Sequence, residues 1–296
     1  SLYLGNSSNI DTVPPILTFQ SPESNIIYTS RSVYITFNVS EFADVSYTDL
    51  DDGRGRWTNV CNNCRSHNRL RSFKDGLNNL MFRSVDSFDN AGYVNISFYV
   101  DSKKPKITKT IPRSGFTSGF FDVWFIEENP SNLLLQYRSS SGDIQTSLVD
   151  IELECTQLPG TRDKYTCSHF IDLSSYNNQE IEYWFSLTDI ANSMSSSKPI
   201  DLNVDTQSPI VNSLNYTRIG GRILFTINIT EPNFDEIVYI DNSDSRPRER
   251  TLCSSLKNGI CTKSITLNSA SAQHNIDIII RDEAGNTATR NILITV

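Results

Sequence analysis

An aspartate followed four residues later by a proline opens an apolar run three times along this chain. The instances are Asp11–Pro15 before Ile16-Leu17, Asp101–Pro105 before Lys106-Ile107, and Asp205–Pro209 before Ile210-Val211. A second signal recurs as Asp89-Asn90-Ala91-Gly92, Asp189-Ile190-Ala191-Asn192 and Asp282-Glu283-Ala284-Gly285. A period of about 90 to 100 residues means one small domain copied in tandem. Length alone, 296 residues, suggests about two domains; the repeat revises this to three. The expected organisation is a short extension at 1–10 and domains at 11–102, 103–206 and 207–296.

Within each repeat the apolar residues alternate. Val33, Ile35, Phe37 and Val39 share one side of a strand, as do Phe121, Val123 and Phe125, and Ile223, Phe225, Ile227 and Ile229. The chain has only seven alanines and is rich in β-branched, aromatic, Ser and Asn residues, which is poor helix material. The expected fold class is all-β: three tandem immunoglobulin-like β-sandwich domains in an elongated array, about seven strands to a domain. Gly92, Asn192 and Gly285 are expected to supply the positive φ that the aspartate turns require.

The six cysteines fall two per repeat, Cys61 with Cys64, Cys155 with Cys167, and Cys253 with Cys261. Equivalent placement points to local hairpin disulfides made in an oxidising compartment. Cys61-Asn-Asn-Cys64 with His67 invites a zinc reading, but a structural site needs four ligands and no second cluster is near in sequence. A thioredoxin-like role lacks its βαβ context. The net charge of −8 and pI near 5.0 exclude a general nucleic-acid binder. No apolar run approaches the roughly 18 residues of a membrane helix. With no leader pattern at its start, the sequence is expected to begin at a mature or trimmed end and to complete its last strand at Val296.

The succession of a terminal strand, a Val-Asp-x-x-x-Pro linker (Val100-Asp101, Val204-Asp205) and an Asp-x-Ala-Gly turn resembles the tandem Ig-like repeats of prokaryotic cell-surface proteins, archaeal ones included. The resemblance covers Asp11 to Val296. It implies a secreted or cell-surface array serving as stalk, adhesin, filament or surface-layer component, and it says little about the partner. The paired cysteines of antibody domains are missing.

Candidate functional residues are few. Leu2-Tyr3-Leu4 reads as a lone strand, and lone strands add to exposed sheet edges; donated to a neighbouring copy it would give a head-to-tail homopolymer. The bland reading is a strand lying on its own first domain, or the remnant of a preceding repeat. Asn6, Asn38, Asn95, Asn215 and Asn228 head Asn-x-Ser/Thr glycosylation sequons, with Asn38 and Asn228 at the same outward position of their repeats. Arg54, Arg56, Arg246 and Arg248 collect in equivalent hairpins, with Trp57 beside them, and suit an anionic glycan or an acidic neighbour, or simply guard a strand edge. The linker acids Glu41, Asp89, Asp101, Glu128, Asp205 and Glu231 raise an interdomain calcium site, although turn capping accounts for such aspartates without a metal. No other cofactor is expected. His67, His169 and His274 lie in different repeats, so a nucleophile–base–acid set would have to converge from separate domains. The expected function is a non-enzymatic subunit of a surface filament, stalk or layer. The alternatives are an adhesin for surface glycans and a non-catalytic spacer of a secreted enzyme.

Overall fold

The computed structural model describes residues 11–139, 142–267 and 272–295. Leu2, Tyr3, Leu4 and Asn6 lie outside that range. Two compact units are present. One comprises the first repeat to Pro105 with Asn129–Ser131 and Thr188–Met194; the other comprises the remainder of the second repeat and the third.

The first repeat contains β1 (Leu17–Ser21), β2 (Ile27–Tyr28), β3 (Ser32–Asp49), β4 (Thr58–Ser72), β5 (Gly76–Val85) and β6 (Ala91–Val100), in the order β1-β3-β5-β6-β2 with β4 on β3. Sequence alternation suggests two strands where β3 is one. Its first half pairs β1 and the far half of β4, and its second half pairs β5. The physical reason is Ser40-Glu41-Phe42-Ala43: no proline interrupts the ladder there, whereas Pro130 and Pro232 stand just past the matching strands of the later repeats. The first repeat therefore has six strands. Val33, Ile35, Phe37, Leu80, Phe82, Ile96 and Phe98 form its core.

The second repeat contains β7 (Lys106–Ile111), β8 (Phe116–Thr117), β9 (Phe120–Ile126), β10 (Pro130–Ser139), β11 (Gln145–Val149), the short helix α1 (Ile151–Glu154), β12 (Cys155–Gln157), β13 (Lys164–Phe170), β14 (Glu180–Asp189), β15 (Met194–Ser196) and β16 (Ile200–Val204). Its sheets are β11-β10-β14-β16-β8, with β15 on β14, and β12-β13-β9-β7. Phe121, Val123 and Phe125 of one sheet meet Leu133, Leu135, Tyr183 and Phe185 of the other. The third repeat contains β17 (Ile210–Ile219), β18 (Arg222–Thr230), β19 (Phe234–Asp241), β20 (Glu249–Cys253), β21 (Ile260–Ile265), β22 (Gln273–Asp282) and β23 (Thr287–Thr295), in sheets β17-β18-β21 and β20-β19-β22-β23. Its core is dominated by isoleucine: Ile227, Ile237, Ile276, Ile278 and Ile280 are fully buried. The fold is a tandem set of Ig-like β-sandwiches.

All six cysteines are bridged in the pairs given by sequence, but only one bridge is a hairpin staple. Cys155 and Cys167 face each other across β12 and β13. Cys61 and Cys64 lie within one strand, β4, around Asn63 in the left-handed region. Cys253 and Cys261 join β20 to β21 and so link the two sheets of the third repeat. The reason is local: β20 pairs β19 while β21 crosses to β18, so neighbouring strands in sequence belong to opposite sheets.

Candidate functional site

The first and second repeats share an edge device. In each, the opening strand leaves its ladder at a proline, Pro22 or Pro112, which lacks the N–H the ladder needs. A two-residue strand then pairs in parallel with the last strand: β2 on β6 (Ile27↔Tyr99, Tyr28↔Val100) and β8 on β16 (Asn203↔Phe116, Val204↔Thr117). The third repeat has no such proline. β17 stays on β18 for its whole length and turns back through Gly220-Gly221, a two-residue hairpin with Gly220 at φ +60°. Among the described residues no strand pairs the outer side of β23, which ends its sheet, and Tyr216 of β17 donates its hydroxyl to the Leu293 carbonyl at 3.3 Å. Its side chains there include exposed Thr289, Arg290, Asn291 and Leu293. An unpaired edge of this kind offers a row of backbone donors and acceptors to an added strand.

The linker acids form a second recurring arrangement. Asp282 Oδ1 accepts from the backbone N–H groups of Ala284 at 2.9 Å and Asn286 at 2.8 Å. Asn286 Nδ2 donates to Asp282 Oδ2 and to the Asp205 carbonyl, both at 2.8 Å. The first repeat reproduces this bond for bond with Asp86, not Asp89: Phe88 and Asn90 donate to Asp86 Oδ1, and Asn90 Nδ2 bridges Asp86 Oδ2 and the Asp11 carbonyl. Reading Asp89 as the turn aspartate placed the first repeat three residues out of register. Asp89 instead takes the positive-φ place of Asn192 and Gly285. Gly92 has no positive φ; a Cβ there would come 2.1 Å from the Pro15 carbonyl oxygen.

Carboxylate oxygens of Asp11, Glu41 and Asp86 lie within 4.8 Å of one another, and those of Asp205, Glu231 and Asp282 do the same. Burial, with the charges of Asp282 and Asp205 adding, raises the Glu231 pKa; burial and then Asp205 raise that of Asp282 despite the bonds from Asn286. Glu128 is exposed, and the buried residue at the place of Glu41 and Glu231 is Glu127. The sequence hid this because Glu127-Glu128 offers two acids and only the pleat decides which turns inward.

Arg54 and Arg56 lie exposed in the β3–β4 loop, and Arg246 and Arg248 are exposed in the β19–β20 loop. Trp57 is half-buried, with the Arg83 guanidinium 4.4 Å from its ring centre, so one ring face is already occupied within its own repeat. Asn38, Asn95 and Asn215 are exposed on strands; Asn228 is half-buried and accepts from Asn212 at 3.3 Å.

The three histidines do not converge. His67 stacks on Phe37, and burial followed by Arg69 and Arg71 lowers its pKa; Cys61 and Cys64 beside it are spent in a disulfide. His274 is fully buried against Asp241 at 2.6 Å. His169 has Ser147 Oγ at 2.8 Å from Nε2 and Glu154 Oε1 at 2.9 Å from Nδ1. A serine–histidine–acid line thus forms inside one repeat, contrary to the expectation that it would need several. It ties β11 of one sheet to β13 of the other, with both imidazole nitrogens engaged. A shallow surface depression lies elsewhere, around Cys253, Leu256, Lys257 and Ile260. No helix among the described residues is long and apolar enough to cross a membrane.

No protein-family model matches the chain, and no curated protein does. Similar solved structures include the chicken CNTN1 FN1–FN3 domains, at 9% identity over 96% of this chain and 99% of that one, TM-score 0.46. The titin I-band fragment I67–I69 is 13% identical over 95% of this chain and 98% of that one, TM-score 0.38. A tetra-tandem repeat from the extending region of a large adhesion protein is 12% identical over 96% of this chain and 74% of that one, TM-score 0.34. The sandwich assignment rests on the strand order and register of this chain itself.

Proposed function

We propose that this chain is a secreted, non-enzymatic structural protein that assembles head to tail on a cell surface. Its 1–10 segment, through Leu2, Tyr3 and Leu4, adds as a strand to the open side of β23 in the next copy. The observation that carries this reading is an edge strand: β6 and β16 are each bordered by a short parallel strand, and among the described residues β23 is not. The contact is heterologous, so it repeats without closing. Three disulfides suit an oxidising compartment. Electron micrographs of the purified whole chain test the proposal. Linear polymers are expected, and an excess of synthetic peptide of sequence 1–10 should shorten them by occupying β23. Isolated particles under all conditions, or polymers indifferent to the peptide, overturn it.

A second reading, an adhesin for anionic surface glycans, draws on exposed Arg246 and Arg248 beside Arg250, which is itself paired with Asp244 at 2.8 Å. It predicts a monomer that binds a sulfated or uronic glycan and loses binding when both exposed arginines become serine.

A further inference from the structure

Asp101, Asp189 and Ser193 take the places held by Asp205, Asp282 and Asn286 in the third repeat and by Asp11, Asp86 and Asn90 in the first. One substitution in this middle set changes its chemistry. In the outer sets the asparagine Nδ2 donates to Oδ2 of the turn aspartate. Ser193 still donates its backbone N–H to Asp189 Oδ1 at 2.8 Å, but its side chain is too short to replace the amide. Asp189 is fully buried, and its Oδ2 has no hydrogen-bond partner.

Asp101 is also buried, at 5% exposure. Burial raises its pKa, and the negative charge of Asp189 and then Asp75 push in the same direction. Asn129 Nδ2, 3.5 Å from Asp101 Oδ2, and the Lys103 backbone N–H oppose this. Arg31 and Lys103 act on Asp75, which Ser102 also binds. The corresponding carboxylates of the third repeat lie within 4.8 Å. A buried carboxylate facing another needs either a proton or a cation to be stable.

We propose that Asp101 and Asp189 hold a hard divalent cation, Ca²⁺, with Asp189 Oδ2 as one ligand. The donors are carboxylates, which hard cations prefer, and Ca²⁺ accepts irregular oxygen geometry where Mg²⁺ demands an octahedron. Water and backbone carbonyls complete the shell. The inference is independent of strand donation.

Calorimetric titration of the EDTA-stripped whole chain with CaCl₂ tests it. Saturable binding is expected, with Kd on the order of 0.1–1 mM. Asp189→Asn and Asp101→Asn should each abolish it, and Asp282→Asn should retain it. Ser193→Asn, which supplies the donor present in the other repeats and leaves both carboxylates in place, should weaken binding by about tenfold. Absence of saturable binding overturns the proposal. So does an isotherm unchanged in both Asp189→Asn and Ser193→Asn, or an acid-induced gain in stability that ignores Ca²⁺ and disappears in Asp189→Asn, which would assign a shared proton to this pair.

Discussion

Two glycines show how one residue type serves two physical purposes. Gly92 is required by close approach, because a Cβ would overlap the Pro15 carbonyl that also accepts from Ser84 Oγ at 2.9 Å. Gly285 is required only by its φ of +86°, a conformation that Asp89 and Asn192 adopt at the same place. Gly92→Ala should therefore cost at least about 2 kcal/mol in denaturant unfolding. Gly285→Asn should stay within about 0.5 kcal/mol. The acids carry a sign of their own. Glu231 and Asp282 have raised folded pKa values, so their contribution is fully present below the unfolded values and is lost as pH rises through the folded ones. Stability of the unit that holds them should climb as pH falls from neutrality toward the upper carboxylate range, measured with EDTA present. Glu231→Gln keeps the acceptor for the Asn233 N–H and removes the charge. It should raise Tm at pH 7 by on the order of 2 °C and flatten that slope.

At the scale of elements, the disulfides divide by what they join. Cys253–Cys261 links two sheets, with Cys261 buried in the core, whereas Cys61–Cys64 closes a tiny loop inside one strand. Replacing Cys253 and Cys261 with alanine should cost the third repeat about 2–3 kcal/mol from loop closure alone. The corresponding pair in β4 should cost less, as read by differential scanning calorimetry. Which elements were legible follows the same logic. Period-two alternation marked β9 and β18 because each buries one face only. It also marked both halves of β3 but not their continuity, since alternation alone does not show whether two apolar runs are joined without a break. The repeat signals located the aspartate turns, yet the register of the first failed. Asp86-Ser87-Phe88-Asp89-Asn90 contains two aspartates, and only the bonds to Asn90 show which one caps. Sequence could have flagged the open edge of β23: Pro22 and Pro112 have no counterpart between Ile210 and Arg222, where Gly220-Gly221 stands instead. The Ser147–His169–Glu154 line had no such signal, because its members come from β11, β13 and α1 and meet only once both sheets are closed.

At the scale of the whole molecule, each repeat has a core of its own, and the recurring aspartate arrangements lie at its turns. The repeats differ at one edge: β2 and β8 cover the sides of β6 and β16, and among the described residues no strand covers that side of β23. The proposed head-to-tail assembly makes the ends of the chain its working parts. Sedimentation velocity of the whole chain, run across a concentration series beside a variant lacking residues 1–10, tests this most directly. The account predicts a concentration-dependent ladder of species for the whole chain and a single monomer peak for the variant. A monomer in both, or identical ladders in both, would contradict it.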